Sequence, residues 1–475
     1  MKKKYILAFF TFIAFTSLIV SCSDDDEYVP VEDKLPVATD DSASYALLSN
    51  VDINVTSNDT SGDQVVITSV NLVGGIDTDG NGTLDNLIVL GEGSWAVNSV
   101  TGVITFTPIS TFLGNPTPIK YYVKDAQGNN SNQATITVVA TSTVNANLDQ
   151  VPYPKLSDYG FFAGEMKNQI PSLNVLPYTL ASSLFTDYAH KKRFVWMPQG
   201  SKATYNGDGE IFQFPVGTVI IKTFYYENVL PSNTKKNVET RLLIKKSSGW
   251  IFADYVWNDN DTEATIQNSG QNKSITFIEN GATKTSNYRF PSDAECKVCH
   301  KIVQGSEEVI IPIGPKPQNI NFEYSYASGS MNQIQKWIAA GYLQGGFSLP
   351  TEQNTTVDYT DTSKPLNVRV RSYLDVNCAH CHKSGAHCSY RAMRFAFNET
   401  TNPINLGICL STEDLTPNPA MTKIVNPVNI NRSMMNYRLS STDSGVMMPL
   451  SGRSLVHEEA LLMIQEWINS LQPCN

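Results

Sequence analysis

Between residues 36 and 143 the chain has no cysteine, no arginine and only two lysines, Lys120 and Lys124. Thiol chemistry is therefore absent from that block. Positive charge is scarce overall, with 35 Lys and Arg against 45 Asp and Glu, a formal net charge of −10. That balance argues against nucleic acid or anionic lipid as a partner. Beyond the first 20 residues no run is apolar enough to span a bilayer. Residues 156–291 hold no nucleophile–base pair, no phosphate loop and no zinc pattern. What remains is the make-up of a packed protein, 41% hydrophobic and 10% aromatic, long enough for about three domains.

Chemistry is concentrated in two pentapeptides, Cys296-Lys297-Val298-Cys299-His300 and Cys378-Ala379-His380-Cys381-His382. Cys-x-x-Cys-His is the attachment string of c-type haem: two thiols add to the vinyl groups of one porphyrin, and the following histidine falls beneath the iron. About 0.002 such strings are expected by chance from this composition. A Cys₄ zinc site or a redox dithiol is the competing reading. Neither needs a histidine directly after each pair. The expectation is two covalent haem c groups, on Cys296, Cys299, Cys378 and Cys381, with His300 and His382 as proximal iron ligands.

The N-terminus points to export. Lys2, Lys3 and Lys4 precede an apolar run over residues 5–20 that closes on Leu18-Ile19-Val20-Ser21-Cys22. This is the pattern of a bacterial lipoprotein signal peptide over 1–22, with Cys22 lipidated. The linker at 23–35 begins Ser23-Asp24-Asp25-Asp26-Glu27 and resembles the signal that carries lipoproteins of Bacteroidetes-type bacteria to the cell surface. The expected location is the outer membrane or cell surface, lipid-anchored, or facing the periplasm if the chain is not carried outward.

Short β-branched runs between turn signals over 36–143 predict an all-β sandwich. Through Trp95-Ala96-Val97, residues 101–108 and residues 119–128, the block resembles the cadherin-like or fibril-repeat sandwiches of secreted bacterial proteins, which are spacers or adhesive units. Within it, Asp77, Asp79, Asn81 and Asp85 are spaced like the ligands of a calcium loop. Ile88 stands where an EF-hand has glutamate, and a plain turn rich in Asp and Gly is the alternative.

Residues 151–290 predict a further β-rich domain. Residues 291–365 carry the first haem segment and 366–475 a second cytochrome c domain, so a mainly α cytochrome c-like region closes the chain. Helical spacing runs through residues 331–343, 366–376 and 457–471. Met448, followed by Pro449 and lying between His382 and the last helix, is the expected distal ligand of the second haem, with Met447 as alternative. For the first haem Met331 is chosen over Met197, His190 or an open position.

Residues 156–467 resemble a family of bacterial diheme c-type cytochromes of undetermined role. The likeness is carried by 156–162, 184–189, 214–219, 239–243 and the two haem strings, and it implies covalent haem and electron transfer. With four cysteines on haem and Cys22 on lipid, Cys388, Cys409 and Cys474 remain. Cys388–Cys409 is the expected disulfide and Cys409–Cys474 the alternative. The reading is a lipid-anchored diheme cytochrome that passes single electrons to redox partner proteins, an electron carrier before a catalyst. The alternatives are a peroxidase-like oxidoreductase with an open first haem, or an adhesive or glycan-binding surface protein.

Overall fold

The computed structural model describes residues 34–413 and 418–474. Cys22 and the acidic run at 23–27 lie outside the described residues.

The first layer pair is a β-sandwich. Strands β1 (Asp41–Ala46), β2 (Val51–Ile53), β3 (Asn71–Leu72), β4 (Asn86–Val89), β5 (Gly93–Val97), β6 (Ile104–Pro108), β7 (Ile119–Tyr122) and β8 (Ala134–Thr141) divide into two four-stranded sheets. Their orders are β1-β8-β7-β3 and β2-β6-β5-β4, with β1 and β8 parallel. Alternation decides which face is buried. In β8, Ala134, Ile136, Val138 and Ala140 point inward and the residues between them outward. Trp95, Phe106 and Tyr121 fill the space between the sheets. The Tyr121 hydroxyl, which is buried, is satisfied by the carbonyls of Thr39 and Val55 and by Asp59.

A two-stranded ribbon, β9 (Phe162–Ala163) with β10 (Ile170–Pro171), leads to the larger sheet. That sheet contains β11 (Leu176–Tyr178), β12 (His190–Trp196), β13 (Val219–Val229), β14 (Thr234–Lys246), β15 (Gly249–Trp257) and β16 (Ala264–Ile266) in sequence order. The hairpin β17 (Ser269–Glu279) and β18 (Ala282–Ser292) joins it through β13. One face of the sheet packs on Leu156, Tyr159 and Phe161, the other on Trp337, Ile334 and Val376.

The C-terminal part wraps that second face. Helix α1 (Asp293–His300) is followed by the hairpins β19 (Lys301–Gln304)–β20 (Glu307–Ile310) and β21 (Glu323–Tyr326)–β22 (Gly329–Asn332), with the single turn α2 (Pro317–Ile320) between them. Then come α3 (Gln333–Ala339), α4 (Leu366–Asn377), α5 (Met434–Ser440) and α6 (Glu458–Ser470). Helices α4 and α6 pack together through Val370, Leu374, Ile464, Trp467 and Ile468.

The expectation of a mainly α region is corrected here. The longest described helix has 13 residues, and among the described residues of 383–433 there is no α-helix at all. Pro403, Gly407, Pro419 and Pro427 interrupt that segment with turn-forming chemistry. Met331, expected to open a helix, lies instead in strand β22 before the Asn332 cap of α3.

Candidate functional site: the meeting of two Cys-x-x-Cys-His segments

The first string is the body of α1. Ser292 caps the helix by accepting from the Glu295 amide, and Glu295 reaches back to the Ser292 amide, closing a capping box. Arg289 adds a two-pronged ion pair to Glu295, and this pair holds the Glu295 carboxyl down at about 2. Cys296 is buried, its sulfur 3.8 Å from an oxygen of Asp254. Burial, then the Asp254 charge, pushes its thiol up. His300 closes the helix, its ring edge-on to Phe252. Its Nδ1 lies 2.8 Å from the Ile311 carbonyl, which accepts only if Nδ1 carries the proton. Nε2 is then the nitrogen with a free lone pair. Burial pushes this imidazole down to about 4, so it is neutral at physiological pH.

The second string follows α4. The amides of Cys381 and His382 donate back to the Cys378 carbonyl and wind Cys378, Cys381 and His382 into one turn. His382 is buried against the edge of Phe395, and its Nδ1 has no hydrogen-bond partner. Burial, reinforced by its neighbours His380 and Arg394, pushes it down to about 4.

Cys378, Cys381 and His382 open onto a cavity of about 1370 Å³, mouth included. Met434, Met435 and Met448 line it, beside Leu374 and Phe395. Arg453 fixes the loop bearing Met448. The residue is 8% exposed, and its guanidinium donates to the carbonyls of Met448, Ser441 and Leu455.

The two strings face each other. Ligand atoms of Cys299, His380 and Cys381 all lie within 4.8 Å of one another. A hydrogen bond from Cys381 holds the Cys299 thiol well below its ordinary range. A thiol pair and an imidazole at this separation can be crosslinked, alkylated or metallated.

Tested against a porphyrin, the two strings differ. At the second, both thiols and the imidazole line one large, mainly apolar cavity, and methionine sulfur lines it too, so the residues fit. At the first they do not. Neither of the cavities at the strings is lined by Cys296 or His300, and Cys299 is turned to the second string instead.

The remaining expected residues scatter. Met331 is 38% exposed and lines neither cavity. Met197 is buried in the core beneath the sheet, and His190 is exposed and stacked on Tyr225. Met447 is buried but is not among the cavity's lining residues. The Cys388–Cys409 pairing is corrected: Cys409 bonds to Cys474, 5.7 Å apart at Cα, and Cys388 is a buried free thiol on the cavity wall. A disulfide needs close Cβ positions, and the fold supplies them at the C-terminus. In the sandwich, carboxylate oxygens of Asp77, Asp79 and Asp85 come within 4.8 Å of one another. They already accept from Gly80, Gly82, Asn81 and Thr78 of their own loop, and Asn81 accepts from Thr83.

Sequence reading missed Met434, Met435 and His457. His457 stacks on Phe185 at 4.1 Å, with each ring nitrogen 3.0 Å from a tyrosine hydroxyl, Tyr359 at Nε2 and Tyr373 at Nδ1. The adjacent Met434 and Met435, which open α5, were a visible signal, since methionine fills irregular apolar gaps. Nothing local marked His457.

Residues 36–140 match the family model of the surface adhesin CshA repetitive domain. No curated protein matches the chain. A solved structure, extracellular domains 3–5 of Drosophila OTK, is similar at 9% identity over 55% of this chain and 97% of that one. Its TM-score is 0.16, a value that carries no argument about fold or role. Among the described residues no helix is long and apolar enough to cross a membrane. These findings correct the description of the chain as a cytochrome, an iron protein of electron transfer. The family model that matches, over residues 36–140 alone, is a surface adhesin repeat, and the architecture is strand-rich.

Proposed function

We propose that this is an adhesive protein of the cell surface, in which residues 36–140 act as an adhesin repeat and the larger sheet with its C-terminal wrap forms the carried head. The match of 36–140 to the surface adhesin repetitive domain carries this reading. The sandwich supports it. Strand β4 is an edge, and near it Ile76, Ile88 and Leu90 are exposed, Leu90 almost completely. An open apolar edge is where another chain or surface pairs. Cells making the protein without residues 36–140 should lose attachment to the surfaces that the intact cells hold. Unchanged attachment, with the shortened protein still displayed, would refute the reading.

A second reading concerns a cofactor and not the role, and the second cavity favours it. Cys378 and Cys381 would hold a covalent haem, with His382 beneath the metal and Met448 on the cavity wall. Such a group supplies a redox-active or ligand-binding metal when attached. The chain's own part is to exclude water with Leu374 and Phe395 and to keep His382 neutral. Protein from denaturing electrophoresis should stain for haem and lose the stain in Cys378→Ala/Cys381→Ala. An unstained protein whose mass equals that of the bare chain would refute it.

A further inference from the structure

Across the larger sheet, Arg193 of β12, Lys222 of β13, Arg241 of β14 and Asp254 of β15 are direct cross-strand partners in series. Direct partners share a face, so three cations stand abreast on adjacent strands. Lys191, two residues from Arg193, joins them on that face. Its ammonium, that of Lys222 and the guanidinium of Arg241 crowd one ring, Phe224, at 5.8, 4.8 and 4.5 Å.

Anionic partners fall short of this charge. Arg241 is bonded to Glu239 at 2.8 Å and lies 4.0 Å from Asp254. Glu239 also accepts from the Tyr288 hydroxyl. The nearby Asp187 is occupied by Ser286, Ser454 and the amides of Ser454 and Leu455. Lys191 reaches only the carbonyl of Ala189, and Lys222 has no carboxylate within ion-pair distance among the described residues. Arg193 is 6% exposed, and its Nη2 is buried with no hydrogen-bond partner. Among the described residues Glu239 and Asp254 are thus the only carboxylates within ion-pair distance of Arg193, Lys191, Lys222 or Arg241, and burial with like charge pushes both lysine ammoniums well down. A bound anion would relieve that crowding.

We propose that this face binds a dicarboxylate, one carboxylate between Arg193 and Lys222 and the other toward Lys222 and Arg241. Two strand spacings, about 10 Å, separate the outer cations. That span suits two carboxylates on one molecule better than a single compact oxyanion. The two carboxylates belong to one free molecule.

The test is the melting temperature of the full chain titrated with succinate, with acetate and sodium chloride at equal ionic strength as controls. A saturable rise with succinate beyond both controls is expected, together with its loss in Lys222→Met. That variant should itself melt higher than the parent without ligand, because it removes an unpaired cation from a crowd of like charge. If Lys222 served only to pack on Phe224, Lys222→Met would melt lower instead and the proposal would fall. Absence of a saturable response to succinate beyond the controls overturns the proposal.

Discussion

Replacing Arg453 by methionine keeps the length and apolar stem of the side chain and removes the guanidinium. Arg453 has no carboxylate partner within ion-pair distance among the described residues. It is an internal clamp on carbonyls, bonding Met448 at 2.9 Å, Ser441 at 2.7 Å, Leu455 at 3.0 Å and Arg438 at 3.2 Å. Hydrogen bonds from a charged donor are worth about 1.5–3 kcal/mol each, and orphaned buried carbonyls add their own cost. Four such bonds do not add fully, since the loop relaxes and admits water to some of the carbonyls. The expected loss is about 4 kcal/mol, at the upper end for a single change. Arg453→Lys should recover little of it, because one ammonium cannot serve carbonyls on both sides of the loop. Urea unfolding followed by tryptophan fluorescence reads the loss, with Trp467 reporting on the α4–α6 core. A change below about 1 kcal/mol in Arg453→Met would refute the clamp, and with it the claim that Met448 is held at the cavity by this loop.

Cys474→Ser should cost about 4 kcal/mol from the chain-entropy argument, since the bond spans 65 residues. Cys388→Ser should leave the non-reduced peptide map unchanged, and a map linking Cys388 to Cys409 would overturn the assignment. His457 is pushed down to about 3, by burial first and then by Lys191 and Arg453. Its unfolded value is about 6.5, so between the two the unfolded chain binds a proton that the folded chain refuses. Its contribution is complete above the unfolded value and is lost as pH falls toward 3. His457→Gln should therefore flatten the stability–pH slope between about pH 4 and 6 by about 1.4 kcal/mol per unit. An unchanged slope in acid-dependent urea titrations would refute this.

Local pattern made the sandwich legible. Residues 134–141 alternate inward and outward without a break, and that period has only one structural meaning. The same holds for α6, whose Ile464, Trp467 and Ile468 fall on one face. Between them, the expectation of a mainly α region fails over the chain from His382 to α5. Its prolines and glycines instead direct it into turns, which no periodicity describes. The disulfide was misjudged for a related reason. Cys388 is nearer to Cys409 in sequence, but loop closure costs little more for a longer loop, so nearness is a weak guide against the docking of α6.

The cation row shows where reading along a chain stops. Arg193, Lys222 and Arg241 look like ordinary solvated charges on three strands, and only the register makes them neighbours. Register also decides the fate of the two Cys-x-x-Cys-His strings. Neither α1, which bears the first, nor α4, which precedes the second, brings them together. Asn377 at the end of α4 bonds Phe185 and Ser183 beside the larger sheet, Asp187 next to them anchors the loop of Ser454 and Leu455, and α1 springs directly from β18 of the hairpin joined to β13. The sheet is therefore the jig on which Cys299 meets Cys381. A β-rich domain with no catalytic motif of its own thus sets where the two strings meet.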